Sequence, residues 1–282
     1  MSDDNCCDNS DNNSDSRASN TGIKSILWIN PIGVGDYDFP IAEYIHTIKQ
    51  QDVAVEVVSL ALSPTPHHLE YRTYEALVAG DIIKATRYGA ENHFDAIVIG
   101  CFYDPSLEAA REISGSSVVV APCQASLQLA EHLSNKFSII VGQAKWIEQM
   151  SERVSAYGCD SKLASMRSID ISVPELQRDC RLTEDRIILA GKRAIEEDGA
   201  EALVLGCTCT FGLYERVQQE LGVPVIDPIC AAYKWAETMV ELKHRFDWSP
   251  SRQGSMAPPD EQELKSFGLF QTQDLVGHRV VI

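Results

Sequence analysis

The segment DAIVIGC (residues 95–101) returns as EALVLGC (201–207): one acidic residue, four apolar ones, then Gly and Cys. A short apolar run closed by glycine is the pattern of a strand covered on both faces, as in a parallel sheet. Sliding the chain by 106 residues, the separation of Cys101 and Cys207, keeps further pairs in register without a gap. Leu107 falls on Leu213, Val119 on Val225, Pro122 on Pro228, Ala125 on Ala231, and Ala130-Glu131 on Ala236-Glu237. One register held this far marks an internal duplication.

Outward from these two runs, strands alternate with helices. Ser25–Asn30 reads as a buried strand closed by Pro31, residues 39–51 as a helix, and Val53–Leu60 as a second strand. Glu70–Asn92 has helical spacing, with Gly80 as a break. Strand 95–100, helix 106–113, strand 117–121 closed by Pro122, and helix 125–133 complete the first half. The second half reads as strand 137–141, helix 144–157, strand 162–169 and helix 184–198 with Thr183 as N-cap. Strand 202–205, helix 213–221, strand 223–226 and helix 231–243 follow. Such alternation requires βαβ units and parallel sheets. The expected fold is α/β, with two similar lobes related by a pseudo-two-fold axis and the active site in the cleft between them.

Composition narrows the function. A chain of 282 residues, 44% hydrophobic and 23% charged, is large enough for a real core without disulfide or metal staples. A net charge of −17 argues against nucleic acid as a partner. No apolar run approaches a membrane span, and the first residues lack a signal-peptide pattern. The nine cysteines then read as reduced thiols of a soluble cytoplasmic protein. Their spacing fits no zinc motif, so no metal site is expected. Residues 1–21 read as a disordered acidic tail in which Cys6-Cys7 has no role.

In parallel α/β sheets, ligands bind beyond the carboxyl ends of the strands. Cys101 and Cys207 both stand there, each after a glycine that permits a tight turn and close approach. Two lobes facing each other would bring both thiols to one small molecule. That suits removal of a proton from one face of a carbon and its replacement on the other. Each sulfur would then lie about 3–3.5 Å from the carbon, so the two would be roughly 7 Å apart. Helix N-termini after each strand are expected to lower one thiol by about a unit. No metal or pyridoxal cofactor is required. The other cysteines do not share this placement: Cys159 and Cys180 read as bystanders, Cys123 and Cys230 lie near second strand ends, and Cys209 follows Cys207. Asp104 and Asp227, each beside a proline, read as turn or cap residues. His67-His68 reads as a solvated surface feature, and VGHRVVI (276–282) as a segment suited to add a strand to a neighbour.

The motifs GCFYDPSLEAARE (100–112), EEDGAEALVLGC (196–207), LGVPVIDP (221–228) and INP (29–31) resemble the hydantoin racemase family of the aspartate/glutamate racemase superfamily. The first matches that family's Gly-Cys-Phe-x-Asp-Pro-x-Leu signature, and the resemblance spans about residues 24–243. It implies two Rossmann-like lobes, catalytic Cys101 and Cys207, no cofactor and a homo-oligomer. It also assigns residues 22–122 plus 229–247 to lobe 1 and 123–228 to lobe 2; residues 248–282, rich in Ser, Pro and Gln, read as a C-terminal tail that wraps or dangles. Departures fall where a substrate would sit: Ile32-Gly-Val-Gly-Asp36, Pro122-Cys123-Gln124-Ala125, Val141-Gly-Gln143 and Thr208-Cys209. Asn30, Pro31, Phe102, Thr208 and Gln143 are the expected substrate contacts. The implied activity is racemisation of a small carbonyl compound, a 5-substituted hydantoin or an allantoin-like ureide. Alternatives are a decarboxylase or cis-trans isomerase using one cysteine, and, third, a non-catalytic small-molecule binding protein.

Overall fold

The first strand, β1 (Lys24–Asn30), is apolar from Ile26 to Ile29 because both of its faces are covered there. Ile26 and Trp28 enter one hydrophobic core while Leu27 and Ile29 enter another, as the two-residue period of a strand dictates. The computed structural model describes residues 23–62, 64–268, 270 and 275–282. The expected disordered tail, with Cys6 and Cys7, lies outside the described residues.

After β1 come α1 (Asp38–Ile48), β2 (Val53–Ser59), α2 (Arg72–Glu91), β3 (Ala96–Ile99), α3 (Leu107–Ile113), β4 (Val118–Val120) and α4 (Pro122–Leu133). The second half runs β5 (Phe137–Val141), α5 (Ile147–Ala156), β6 (Leu163–Ser168), α6 (Val173–Leu176), α7 (Cys180–Asp198), β7 (Ala202–Leu205), α8 (Tyr214–Leu221), β8 (Val225–Ile226) and α9 (Pro228–Phe246). A last helix, α10 (Glu261–Phe267), and a last strand, β9 (Arg279–Val281), close the chain.

The strands form two sheets, ordered β4-β3-β1-β2-β9 and β8-β7-β5-β6. Within them β1 to β8 pair in parallel. Adding four to each label of β4-β3-β1-β2 gives the second sheet, so the duplication read from DAIVIGC and EALVLGC extends to the whole strand order. In each sheet the chain goes from the central strand to one side and returns to the other. That switch places β1 beside β3, and β5 beside β7, with a crevice beyond their carboxyl ends. The last helix of each half crosses over: α4 packs on β7 and β8, whereas α9 packs on β3 and β4, and the two helices lie against each other.

Several local expectations need correction. Gly80 does not break α2, because Val78, Ile82 and Ala85 bury the opposite face and hold the helix through it. No atom lies within 4 Å of where a Cβ of Gly80 would stand, so its cost is the helix-propensity difference of about 1 kcal/mol. Pro122 and Pro228 do not merely close strands; each opens a helix, three residues before the expected start. Proline suits that position because its missing N–H would have no helical partner. Helix α7 begins earlier than read, capped by Asp179, which accepts from Leu182 N at 2.9 Å. Thr183 is not the cap; its hydroxyl donates to Leu176 O at 2.8 Å. Residues 279–281 do form a strand, and the neighbour is the chain's own β2, paired antiparallel.

Candidate active site

Strand β3 ends on Ile99 and the chain turns at once. A Cβ on Gly100 would stand 2.4 Å from Trp28 Nε1 and 2.9 Å from Ile29 O, so only glycine fits. The turn is held by Gly100 N donating to Ile29 O at 2.8 Å and Cys101 N to Ile99 O at 2.8 Å. Gly206 repeats the arrangement on β7, donating to Ile140 O at 2.8 Å. Each cysteine is thereby carried to the end of its sheet beside the switch point.

Cys101 and Cys207 both line one cavity of about 610 Å³, counted to its open mouth. Asn30, Pro31, Phe102 and Thr208 line it as well. Gln143 is not on its wall; it precedes a single 3₁₀ turn, and its carbonyl accepts from Trp146 N at 3.0 Å. The cavity draws on both halves, with Tyr37, Ile41, Tyr103, Trp146, Met150 and Val173 giving it a largely apolar wall.

Two of the expected contacts are already engaged within the protein. Asn30 accepts from Trp28 Nε1 at 2.9 Å and donates to buried Asp38. Asp38 also accepts from Ser59 Oγ at 2.6 Å, and His278 Nδ1 of the C-terminal segment lies 2.8 Å away. Thr208 Oγ1 donates to Gly100 O at 3.2 Å. This bond ties the residue after one cysteine to the residue before the other, and so joins the two turns directly.

Both cysteines are half-buried, and both thiols are pushed above their ordinary range. For Cys101 the main cause is burial, opposed by the Tyr103 backbone N–H. For Cys207 the main cause is the hydrogen bond with the Cys209 side chain, followed by burial, opposed by the Cys209 N–H. In both lobes the backbone N–H two residues on thus favours the thiolate, against burial. The expected lowering by helix N-termini is absent, because α3 and α8 begin only at Leu107 and Tyr214. A macrodipole fades within its first turn.

Asp104 and Asp227 cap the crossing helices. Asp104 accepts from Cys123 N at 2.8 Å, Gln124 N at 2.9 Å and Tyr157 Oη at 2.7 Å. Asp227 accepts from Ile229 N at 2.8 Å, Gly212 N at 2.8 Å and Tyr44 Oη at 3.1 Å. Burial raises both carboxyls, Asp104 to about 6.

The histidine pair is not simply solvated: His67, His68 and Glu70 all line the cavity, and His68 Nδ1 lies 3.1 Å from Glu70 Oε2. A Pro-rich connection gives no periodicity to betray this. The available signal was its position after β2, at the ligand end of a parallel strand. Tyr103 and Trp146 were also missed; Tyr103 Oη and Trp146 Nε1 are buried without a hydrogen-bond partner. Among the described residues, no group of three or more His, Cys, Asp or Glu could hold a metal ion.

A family model described as Asp/Glu/Hydantoin racemase matches residues 26–236. A hydantoin racemase from Pseudomonas sp. (strain NS671) is 32% identical over 227 residues, covering 79% of this chain and 88% of that protein. One from Rhizobium meliloti is 38% identical over 176 residues, 62% of this chain and 73% of that protein. Among solved structures, an allantoin racemase from Klebsiella pneumoniae superposes with a TM-score of 0.78 at 28% identity, covering 84% of this chain and 94% of that one.

Proposed function

The chain belongs to the Asp/Glu/hydantoin racemase family, and from that membership we propose that it racemises a 5-substituted hydantoin or an allantoin-like ureide. Cys101 and Cys207 are the acid/base pair. The observation that carries this reading is their placement: two half-buried thiols, at equivalent strand ends of two lobes, on the wall of one cavity.

One cysteine enters the cycle as thiolate and the other as thiol. The thiolate takes the proton from the stereogenic carbon, and the C–H electrons move into the adjacent carbonyl to give an enolate. The opposite thiol then protonates the carbon from the other face. The carbon is inverted, the sulfurs have exchanged roles, and the total of protons is unchanged. Neither a metal nor an organic cofactor enters this balance. Correctly placed general acids and bases contribute roughly 10²–10⁴-fold each. With both thiols raised, most of the enzyme at neutral pH holds two thiols, and the active form is the fraction with one ionised.

Substrate class follows from the wall. Among the described residues no Lys or Arg lines the cavity, and His68 is already paired with Glu70. A free amino acid would bring a carboxylate whose desolvation little compensates, whereas a neutral cyclic amide avoids that cost. Asn30, Pro31, Phe102 and Thr208 shape the wall around it.

The crossing of α9 onto β3 and β4 supports assigning residues 22–122 plus 229–247 to lobe 1 and 123–228 to lobe 2. Family membership supports a homo-oligomer and residence in the cytoplasm; sedimentation and cell fractionation check each.

Loss of optical rotation, followed across a panel of hydantoins, allantoin and amino acids, tests the function. Rotation should fall for cyclic amides or ureides and persist for free amino acids. Cys101→Ser and Cys207→Ser should each lose at least 10²-fold in rate. Full racemisation by either variant would remove that cysteine from the mechanism.

A further inference from the structure

Tyr103, like Phe102, packs its ring in the core behind the GCFYDP turn, but its hydroxyl has no visible task in the protein. Phe102 is buried in the core, Asp104 caps α4, and Cys101 carries a thiol. Tyr103 lines the same cavity and is only 5% exposed, yet its hydroxyl has no hydrogen-bond partner. A buried hydroxyl left unpaired is costly and rare. Cys101 and Cys207 line that same cavity, so the phenol and both thiols border one space. It stands two residues after Cys101 in a turn closed by Asp104 N donating to Cys101 O at 3.0 Å.

Resting on the two-thiol reading above, we propose that the Tyr103 hydroxyl donates to the substrate oxygen that becomes the enolate oxygen when the carbon between the sulfurs loses its proton. The step is a hydrogen bond, with no transfer of the phenolic proton. Burial holds this phenol well above its ordinary range, so it stays protonated and remains a donor throughout the working pH range. An oxyanion donor must sit beside the nucleophilic or basic groups without being consumed in holding the protein together, and Tyr103 meets both conditions.

Tyr103→Phe is the test, because it removes one oxygen that bonds to nothing in the free protein. The parent enzyme, this variant and Cys101→Ser are compared with one enantiomer of 5-methylhydantoin and with allantoin. Loss of a single oxyanion donor lowers kcat by about 10²–10³-fold. The expected result is such a fall in kcat, a KM within about threefold of the parent, and a larger primary isotope effect for the 5-deuterated substrate, since proton removal becomes slower. The thermal midpoint should hold or rise, because an unpaired buried hydroxyl has been deleted. A kcat within threefold of the parent would overturn the proposal, as would a lowered midpoint, which would assign the hydroxyl a structural role. Failure of the two-thiol reading shows differently. Cys101→Ser would then keep its rate, or the parent would racemise neither compound, and the assignment of Tyr103 would fall with it.

Discussion

Gly100 and Gly206 occupy the same place in the two lobes, and the surroundings of the two differ enough to make a quantitative test. A methyl on Gly100 would meet Trp28 Nε1 at 2.4 Å, Trp28 Cε2 at 2.7 Å and Ile29 O at 2.9 Å. The indole is fully buried and donates to Asn30, so it cannot swing away without losing that bond. Overpacking costs about 1–3 kcal/mol and a broken buried hydrogen bond about 1–3 kcal/mol more. Gly100→Ala should therefore destabilise by about 2–6 kcal/mol, or on the order of 4–24 °C in Tm at about 2–4 °C per kcal/mol. On Gly206 the nearest atoms are Ile139 Cγ2 and Ile140 O, both at 3.0 Å, a contact relieved by shifts of a few tenths of an ångström. Gly206→Ala should cost less than about 1.5 kcal/mol. Activity should follow the same order, since Cys101 is the next residue and a 1 Å displacement costs about 10²-fold. Thermal unfolding and racemisation rates of the two variants make the assay. Equal shifts in Tm would refute the packing argument, and full activity in Gly100→Ala would refute the coupling of this turn to the site.

Thr208→Val removes the bond to Gly100 O and should cost about 0.5–1.5 kcal/mol in chemical denaturation, with a fall in kcat because the two cysteine turns lose their direct link. Because both thiols are raised, the singly ionised form is scarce at neutral pH, and kcat/KM should climb roughly tenfold per unit as pH rises toward the shifted values; a flat profile between pH 6 and 9 would contradict this. The same shift has a stability consequence: the folded state favours neutral thiols, so this stabilisation is present below the unfolded thiol value near 8.5 and is lost as pH rises through the folded values. Deleting residues 275–282 removes the acceptors of Val55 N, bonded to Ile282 O, and Ser59 N, bonded to His278 O. Hydrogen exchange at those two amides should rise selectively, while Leu27 on the inner strand keeps its protection.

The α/β order was legible because buried parallel strands must be apolar on both faces, and β1, β3, β5 and β7 each carry an uninterrupted apolar run of three or four residues. Pairing of the two halves was legible because the duplication kept its register from Asp95 to Glu131. Helix starts were not, since Pro122 closes a strand and opens a helix at one residue, and only the tertiary packing of α4 decides which reading dominates. Gly80 misled in the same way: its local cost is real but is outweighed by the buried face of α2. At the site, strand-end logic brought out Cys101 and Cys207, two side chains whose position depends on one strand each. Residues whose roles depend on a partner far along the chain stayed hidden. Thr208 reads as a pocket residue until Gly100 O is seen beside it, and Asn30 until Trp28 and Asp38 are. His67 and His68 sit on a connection without periodicity, and an aromatic such as Tyr103 is indistinguishable in sequence from ordinary core.

The central claim is that hydrogen leaves one face of the substrate to one sulfur and arrives on the other face from the second. Racemisation of a single enantiomer in deuterium oxide, stopped early and resolved into the two hands, tests it most directly. Two opposed thiols predict deuterium at the stereogenic carbon of the newly formed enantiomer and almost none in the recovered starting one. Protium carried through into the product, or deuterium entering both hands at equal rates, would mean one base serving both faces and would contradict the account.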